Sequence, residues 1–193
     1  MRYSIRKLTV VVDVDDTCVG LVDEWLVKYN ALANDDLRKE EISSFDIKKC
    51  FKPEFAEEGM ALMYQPSIYD NVKAFPAALS AIALMRQRGT RIVYATHSAQ
   101  GTEGRKFTLL NDLGFDVAKE DYVEIADKSL LHCDLFVDDK AQTFDKMREV
   151  WPDTISILYT QPWNAFHPTK FRGNWMTVIS AYNHLRQLRD NMN

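Results

Sequence analysis

Cysteine is scarce in this chain: Cys18, Cys50 and Cys133 are the only three in 193 residues, an odd number with no C-x-x-C pair. That excludes a disulfide scaffold or a thiolate zinc cluster and points to a reduced, cytoplasmic protein. Glycine and proline are also few, seven and six, which excludes collagenous and low-complexity chains. Positive charge is not in excess, since 24 Lys plus Arg stand against 28 Asp plus Glu, a formal net charge of −4. A surface for duplex nucleic acid is therefore not expected. Long hydrophobic runs are missing as well. No stretch approaches the roughly 20 apolar residues of a membrane span, so no membrane partner is expected. The apolar stretch after Leu8 is broken by Asp13, Asp15 and Asp16, too early for a signal peptide.

What is present is apolar material in short pieces. With 46% hydrophobic residues, a chain of this length can bury roughly 70% of its unfolded surface without a staple. Residues 8–14 read LTVVVDV, and similar runs recur at 91–96 (RIVYAT), 122–126 (YVEIA), 134–138 (DLFVD) and 154–159 (TISILY). Their length and β-branched content predict buried strands. Helical spacing appears between them. Residues 77–88 set Leu79, Ile82, Ala83 and Met85 on one side and stop at Gly89; 103–113 stop at Gly114, and 141–150 before Pro152. Residues 174–189 carry Trp175, Val178, Ile179, Tyr182 and Leu185 at helical spacing. Alternating strands and helices predict an α/β fold, a doubly wound parallel sheet covered on both faces. The last helix packs either on its own sheet or on a second subunit, the latter giving a homodimer.

One gap breaks the alternation, because about sixty residues separate the first strand from the next core helix, far more than one crossover needs. Helical patterns at 17–34 (Val22, Trp25, Leu26 and Tyr29 on one face) and 53–64 predict a small, mostly helical cap at 18–75, inserted into a core of 1–17 and 76–193. An insertion at a strand's C-terminal end overhangs the place where parallel α/β sheets bind ligands.

The charged residues that stand out lie at strand ends. Asp13, Asp15 and Asp16 close the first apolar run, and Asp138 and Asp139 close another in the same way. Carboxylates ending buried strands repel one another and resist desolvation. A divalent cation removes that conflict, and hard oxygen ligands suit Mg²⁺. The alternative is that Asp16, Thr17 and Asp139 simply cap the helices that follow. Thr96, ending a third strand, is followed by His97 and Ser98, a hydroxyl and free backbone N–H groups that can either hold phosphate oxygens or start a helix. Lys106, ten residues beyond Thr96, either reaches back to neutralise phosphate or is an exposed helix lysine. His97 reads equally as a loop residue.

The order Asp13-Val14-Asp15-Asp16-Thr17, Thr96, Lys106, Asp138-Asp139 resembles the haloacid-dehalogenase-like phosphatases. Within them it is most similar to the 5′(3′)-deoxyribonucleotidases. That likeness rests on the cap after the first motif, residues 69–76, the G-R-K-F run at 104–107, and Lys128 preceding DLFVDD. The resemblance implies that Asp13 is the nucleophile and Asp15 the general acid and base. It implies that Asp13, the backbone carbonyl of Asp15, and Asp138 hold Mg²⁺, with Asp139 behind them, and that Thr96, the His97 N–H and Lys106 bind phosphate. The implied substrate is a small phosphate ester, a deoxyribonucleotide, whose base would stack in a cap pocket. Phe45, Phe51, Tyr64 and Tyr69 are candidates for that pocket, although each taken singly reads first as ordinary cap core. Leu21 stands about where those enzymes have an aromatic, and Asp16 where Gly is common. Trp151, Trp163 and Trp175 fall outside the cap and read as core or edge packing. Competing readings are a phosphatase for another small ester and a non-catalytic phospho-acceptor module, although the latter would lack both the second acid and the cap.

Overall fold

Side chains alternate along a strand, and the first strand uses this to build two cores at once. In β1 (Thr9–Val12), Val10 and Val12 join the larger apolar cluster with Ile92, Tyr94, Leu135 and Val137, whereas Val11 joins a smaller one with Val93, Phe136 and Met147. The computed structural model describes residues 7–191; residues 1–6 and 192–193, the ends of the expected core, lie outside the described residues. The other strands are β2 (Arg91–Thr96), β3 (Tyr122–Glu124), β4 (Leu135–Asp138), β5 (Ile155–Tyr159) and β6 (Arg172–Gly173). They form one all-parallel sheet in the order β3-β2-β1-β4-β5-β6.

Helices α1 (Leu21–Ala33), α2 (Ala56–Ala61), α3 (Pro76–Gln87), α4 (Arg105–Asp112), α5 (Ala141–Val150) and α6 (Trp175–Asp190) complete the regular structure. α3 and α6 pack together on one face, α6 against β4 and β5, while α5 covers the same two strands from the other. The Asn174 side chain caps α6 by accepting from the Met176 and Thr177 N–H groups, which fixes its start. Among the described residues no helix is long and apolar enough to cross a membrane.

Between β1 and α3 the chain leaves the sheet and returns to it at one point. Gly20 N–H donates to the Lys73 carbonyl at 3.0 Å and Phe75 N–H to the Cys18 carbonyl at 2.9 Å, with an antiparallel bridge of Val19 to Ala74 between them. The expected helix at 17–34 starts only at Leu21, because residues 14–19 form a tight turn in which Cys18 and Val19 N–H groups both donate to the Val14 carbonyl. The expected helix at 53–64 is broken into a 3₁₀ turn, α2 and a second 3₁₀ turn (Leu62–Tyr64). It ends there because Gln65 precedes Pro66 and is held extended. The two-residue β6 has too little apolar pattern to be read from sequence.

The inserted segment packs on its own aromatic centre. The Tyr29 and Phe51 rings stack with centroids 3.9 Å apart, Trp25 meets Phe51 edge-on at 5.7 Å, and the Trp25 indole donates to the Gly59 carbonyl at 2.7 Å. Gly59 is needed there: a Cβ would lie 2.8 Å from the Phe51 ring and 2.9 Å from Tyr29. Gly59→Ala therefore gains up to about 1 kcal/mol in helix propensity but incurs overpacking of about 1–3 kcal/mol. A net loss of stability is expected in urea denaturation, and an unchanged or raised midpoint would show that the rings yield.

Candidate active site

Parallel strands β1, β2 and β4 are neighbours, so their C-terminal ends deliver the acid pairs and Thr96 to one edge of the sheet. Asp13 N–H still donates to the Val137 carbonyl at 2.9 Å, which ties the first acid to β4. Carboxylate oxygens of Asp13, Asp138 and Asp139, all three buried, lie within 4.8 Å of one another. Lys128, in a 3₁₀ turn (Lys128–Leu130) after β3, bridges two of them: its ammonium donates to Asp13 Oδ1 and, at 2.7 Å, to Asp138 Oδ2. Asp138 Oδ1 accepts the Lys140 N–H at 2.8 Å. Burial pushes the Asp138 carboxyl up to about 6 against the pull of Lys128. Asp139 is raised well above the usual range, by burial and then by the charges of Asp13, Asp138 and Asp16. Burial opposes a charged Lys128, yet the two carboxylates raise its pKa. Hard oxygens clustered this closely, with carboxyls pushed toward protonation, form a donor set that suits a divalent cation.

Asp15 is arranged differently. Its carboxylate is outside that cluster and pairs with Lys106 at 2.6 Å, while Lys106 also donates to Thr96 Oγ1 and the His97 carbonyl, both at 2.8 Å. Lys106 reaches this point from the first turn of α4 and is itself buried. Asp15 Oδ1 has no hydrogen-bond partner. Burial raises its pKa, Lys106 works against that, and Asp13 adds to it. A carboxyl with one free oxygen and a raised pKa is prepared to hold a proton and pass it on. Asp16 is buried with φ +52°, the left-handed region that favours glycine. Its carboxylate pairs with Lys39 at 3.0 Å, and Lys39 also meets Asp23 at 3.2 Å. Burial carries Asp16 to about 7, with Lys39 opposing.

These groups face a cavity of about 700 Å³ that runs from the strand ends into the inserted segment. Trp25, Phe45, Met60, Met63, Tyr64 and Tyr69 give its apolar wall, and Leu21, Thr96 and exposed His97 also line it. Phe51 does not, being committed to the stack with Tyr29. Three participants escaped sequence reasoning. Lys128 drew notice only as a point of likeness, although a lysine between two short strands, ten residues before Asp138, is the spacing that brings it back to the acids. Trp163 is not mere packing: it lines the cavity and its indole donates to Asp139 Oδ2 at 2.8 Å. Trp175 is core, as expected, and Trp151 is half-buried beside His132. Lys39 carries no sequence signal, because its partner Asp16 lies 23 residues away.

Acids with raised native pKa bind protons that the unfolded chain has released, so stability is present at low pH and lost as pH rises. For Asp16 the window runs from the ordinary 3.8 to about 7, and for Asp138 to about 6. In chelator, the melting temperature is expected to rise as pH falls from about 7.5 to about 5.5. A melting temperature that falls over this range would contradict the assignment of buried, destabilising charge to these two groups.

Comparison with known proteins agrees with this geometry. A 5′(3′)-deoxyribonucleotidase of Clostridium acetobutylicum is 26% identical over 145 residues, covering 75% of this chain and 79% of that protein. The solved structure of a haloacid-dehalogenase family hydrolase from Deinococcus radiodurans, with bound phosphate and sodium, is similar in fold. Its TM-score is 0.63 at 13% identity, over 93% of this chain and 96% of that one. A haloacid dehalogenase-like hydrolase of Streptococcus pneumoniae gives a TM-score of 0.59 at 10% identity, over 91% and 98%. The family model described as "5′ nucleotidase, deoxy (Pyrimidine), cytosolic type C protein" matches residues 6–186. The chain is a phosphatase of the haloacid-dehalogenase-like type and belongs to that 5′-nucleotidase family.

Proposed function

We propose that this chain is a Mg²⁺-dependent phosphomonoesterase that hydrolyses deoxyribonucleoside monophosphates to nucleoside and phosphate through an aspartyl-phosphate on Asp13. The observation that carries the reading is the pairing of two differently prepared acids at the mouth of one aromatic cavity. Asp13 is held against Lys128 beside Asp138 and Asp139, and Asp15 keeps one oxygen free and a raised pKa. Asp13 Oδ attacks phosphorus in line, its new P–O bond forming as the bond to the sugar oxygen breaks. Asp15 gives its proton to that leaving oxygen. In the second step Asp15 takes a proton from water as the water oxygen attacks phosphorus, which frees Asp13 and releases inorganic phosphate. Lys106, Lys128, Thr96 and the His97 N–H stabilise charge spreading over the phosphoryl oxygens.

Asp13 and Asp138, with the backbone carbonyl of Asp15 and with Asp139 behind them, would hold Mg²⁺. Among the described residues the ion pairs of Asp13, Asp15, Asp16 and Asp138 at this edge are with Lys39, Lys106 and Lys128, so that with Asp139 five carboxyl groups stand against three paired ammoniums before any phosphate arrives. Bound Mg²⁺ supplies the positive charge that lets a phosphate dianion enter such a site. Phe45, Tyr64 and Tyr69 line the cavity, and aromatic rings in such a place can stack with a base. The name of the Clostridium relative supports a deoxyribonucleotide as substrate. The family's description and three cysteines that form no disulfide support the cytoplasm as its compartment.

Phosphate release is to be measured on 5′- and 3′-monophosphates (deoxy and ribo), sugar phosphates and p-nitrophenyl phosphate, each with Mg²⁺ and with EDTA. Metal-dependent release, strongest on deoxyribonucleotides, is expected. Release from other esters alone would keep the phosphatase and overturn the nucleotidase. Asp13→Asn should abolish turnover, and near-normal rates would overturn the nucleophile. Asp15→Asn should leave Mg²⁺ binding intact and slow turnover by about 10²- to 10⁴-fold, so an unchanged rate would contradict its acid–base role.

A further inference from the structure

Among the described residues each acid at the sheet edge pairs with an ammonium except one. Lys128 serves Asp13 and Asp138, Lys106 serves Asp15, and Lys39 serves Asp16. Asp139, buried among three other carboxylates, has no lysine; among the described residues the donor to its carboxylate is the Trp163 indole N–H, at 2.8 Å. An indole N–H donates and never accepts, and it does not titrate, so it holds a carboxylate in one orientation whatever the pH.

The indole is in turn held from two sides. Residues 161–164 clasp both acidic loops: the Gln161 side chain donates to the Asp16 carbonyl, and Asn164 Nδ2 donates to the Asp139 and Tyr159 carbonyls, each at 2.7 Å. Arg172 fastens Asn164 through Oδ1 at 2.8 Å. Over the other side of the ring lies Lys39, 5.6 Å from the Trp163 centroid and 5.4 Å from that of Phe75. The chain that carries Trp163 is therefore tied to β6 through Asn164 and Arg172, while the ring itself meets the inserted segment at Lys39.

We propose that Trp163 is a positioning residue for Asp139, its indole N–H fixing the side-chain orientation that completes the three-carboxylate cluster for a divalent cation. This rests on the reading of that cluster as the Mg²⁺ site. Outer partners that orient metal ligands typically change affinity about 10- to 100-fold. Trp163→Phe keeps a ring under Lys39 and removes only the N–H and part of the surface.

The test titrates Mg²⁺ into metal-free wild-type protein and W163F by calorimetry, and follows the four indole N–H signals of the ¹⁵N-labelled wild type, assigned by triple resonance. The dissociation constant is expected to rise about tenfold or more in W163F. In the wild type the Trp163 signal should move with Mg²⁺ occupancy, while that of Trp151, bonded to the Ser129 carbonyl at 2.8 Å, stays in place. An affinity changed by less than about twofold, or a Trp163 signal that ignores saturating Mg²⁺, overturns the inference alone. The wild-type signal decides the matter even if W163F does not fold. Wild-type protein that binds no Mg²⁺ overturns the metal reading itself, and this inference with it.

Discussion

Five carboxylates crowd one edge of the sheet, and their repulsion is the constraint around which the rest is arranged. No single element could answer it. The three ammoniums come from the inserted segment, from the first turn of α4, and from a 3₁₀ turn after β3. Each draws a distant stretch of chain onto the strand ends. Buried pairs of this kind contribute little net stability compared with apolar residues of the same size, but breaking one leaves an isolated buried charge. The cluster therefore acts as a specification of where those three segments must lie, while the two apolar cores hold the sheet together.

The same edge explains the odd turn after β1. Asp16 takes a left-handed conformation that a glycine would adopt more easily. In return its carboxylate accepts the Val22 N–H at 3.1 Å at the head of α1 and pairs with Lys39. Asp16 thus does two jobs that glycine cannot, anchoring both the first helix and the first 3₁₀ turn (Lys39–Glu41) of the inserted segment.

The strands at 91–96 and 134–138 and the acids that end β1 and β4 were legible because a short apolar run followed by Asp or Thr is a local pattern, which several such runs in one chain turn from helix caps into a shared site. Asp13, Asp15, Thr96 and Asp138 could be named for the same reason, and Lys106 from its place ten residues beyond Thr96 and from the resemblance; the structure brings them together. Lys39, Trp163 and Gln161 were not legible. Their roles arise from contacts across 23, 24 and 145 residues that no periodicity encodes. The inserted segment was legible as helical but not in detail, because 3₁₀ turns that start at Pro53 and Pro66 interrupt it, and each is too short to establish a period. Phe45 and Phe51 look alike in sequence, yet one faces the cavity and the other its own neighbours.

The joined exit and return of the inserted segment, bridged at Val19 and Ala74, separates two rates at which this molecule can change. A strand end cannot slip by one residue without sending every side chain to the opposite face, so the acids are locked to their register. The segment between the joined stubs answers to other constraints, its own aromatic centre and the tie of Lys39 to Asp16. Its ends meet whatever lies between them, and doubling a flexible loop of that kind costs only about 0.6 kcal/mol in closure entropy. Residues that shape the outer cavity can therefore be inserted, deleted or exchanged while the sheet edge keeps its geometry. The geometry of the sheet edge and the shape of the outer cavity can, in this architecture, change separately wherever the tie of Lys39 to Asp16 is kept.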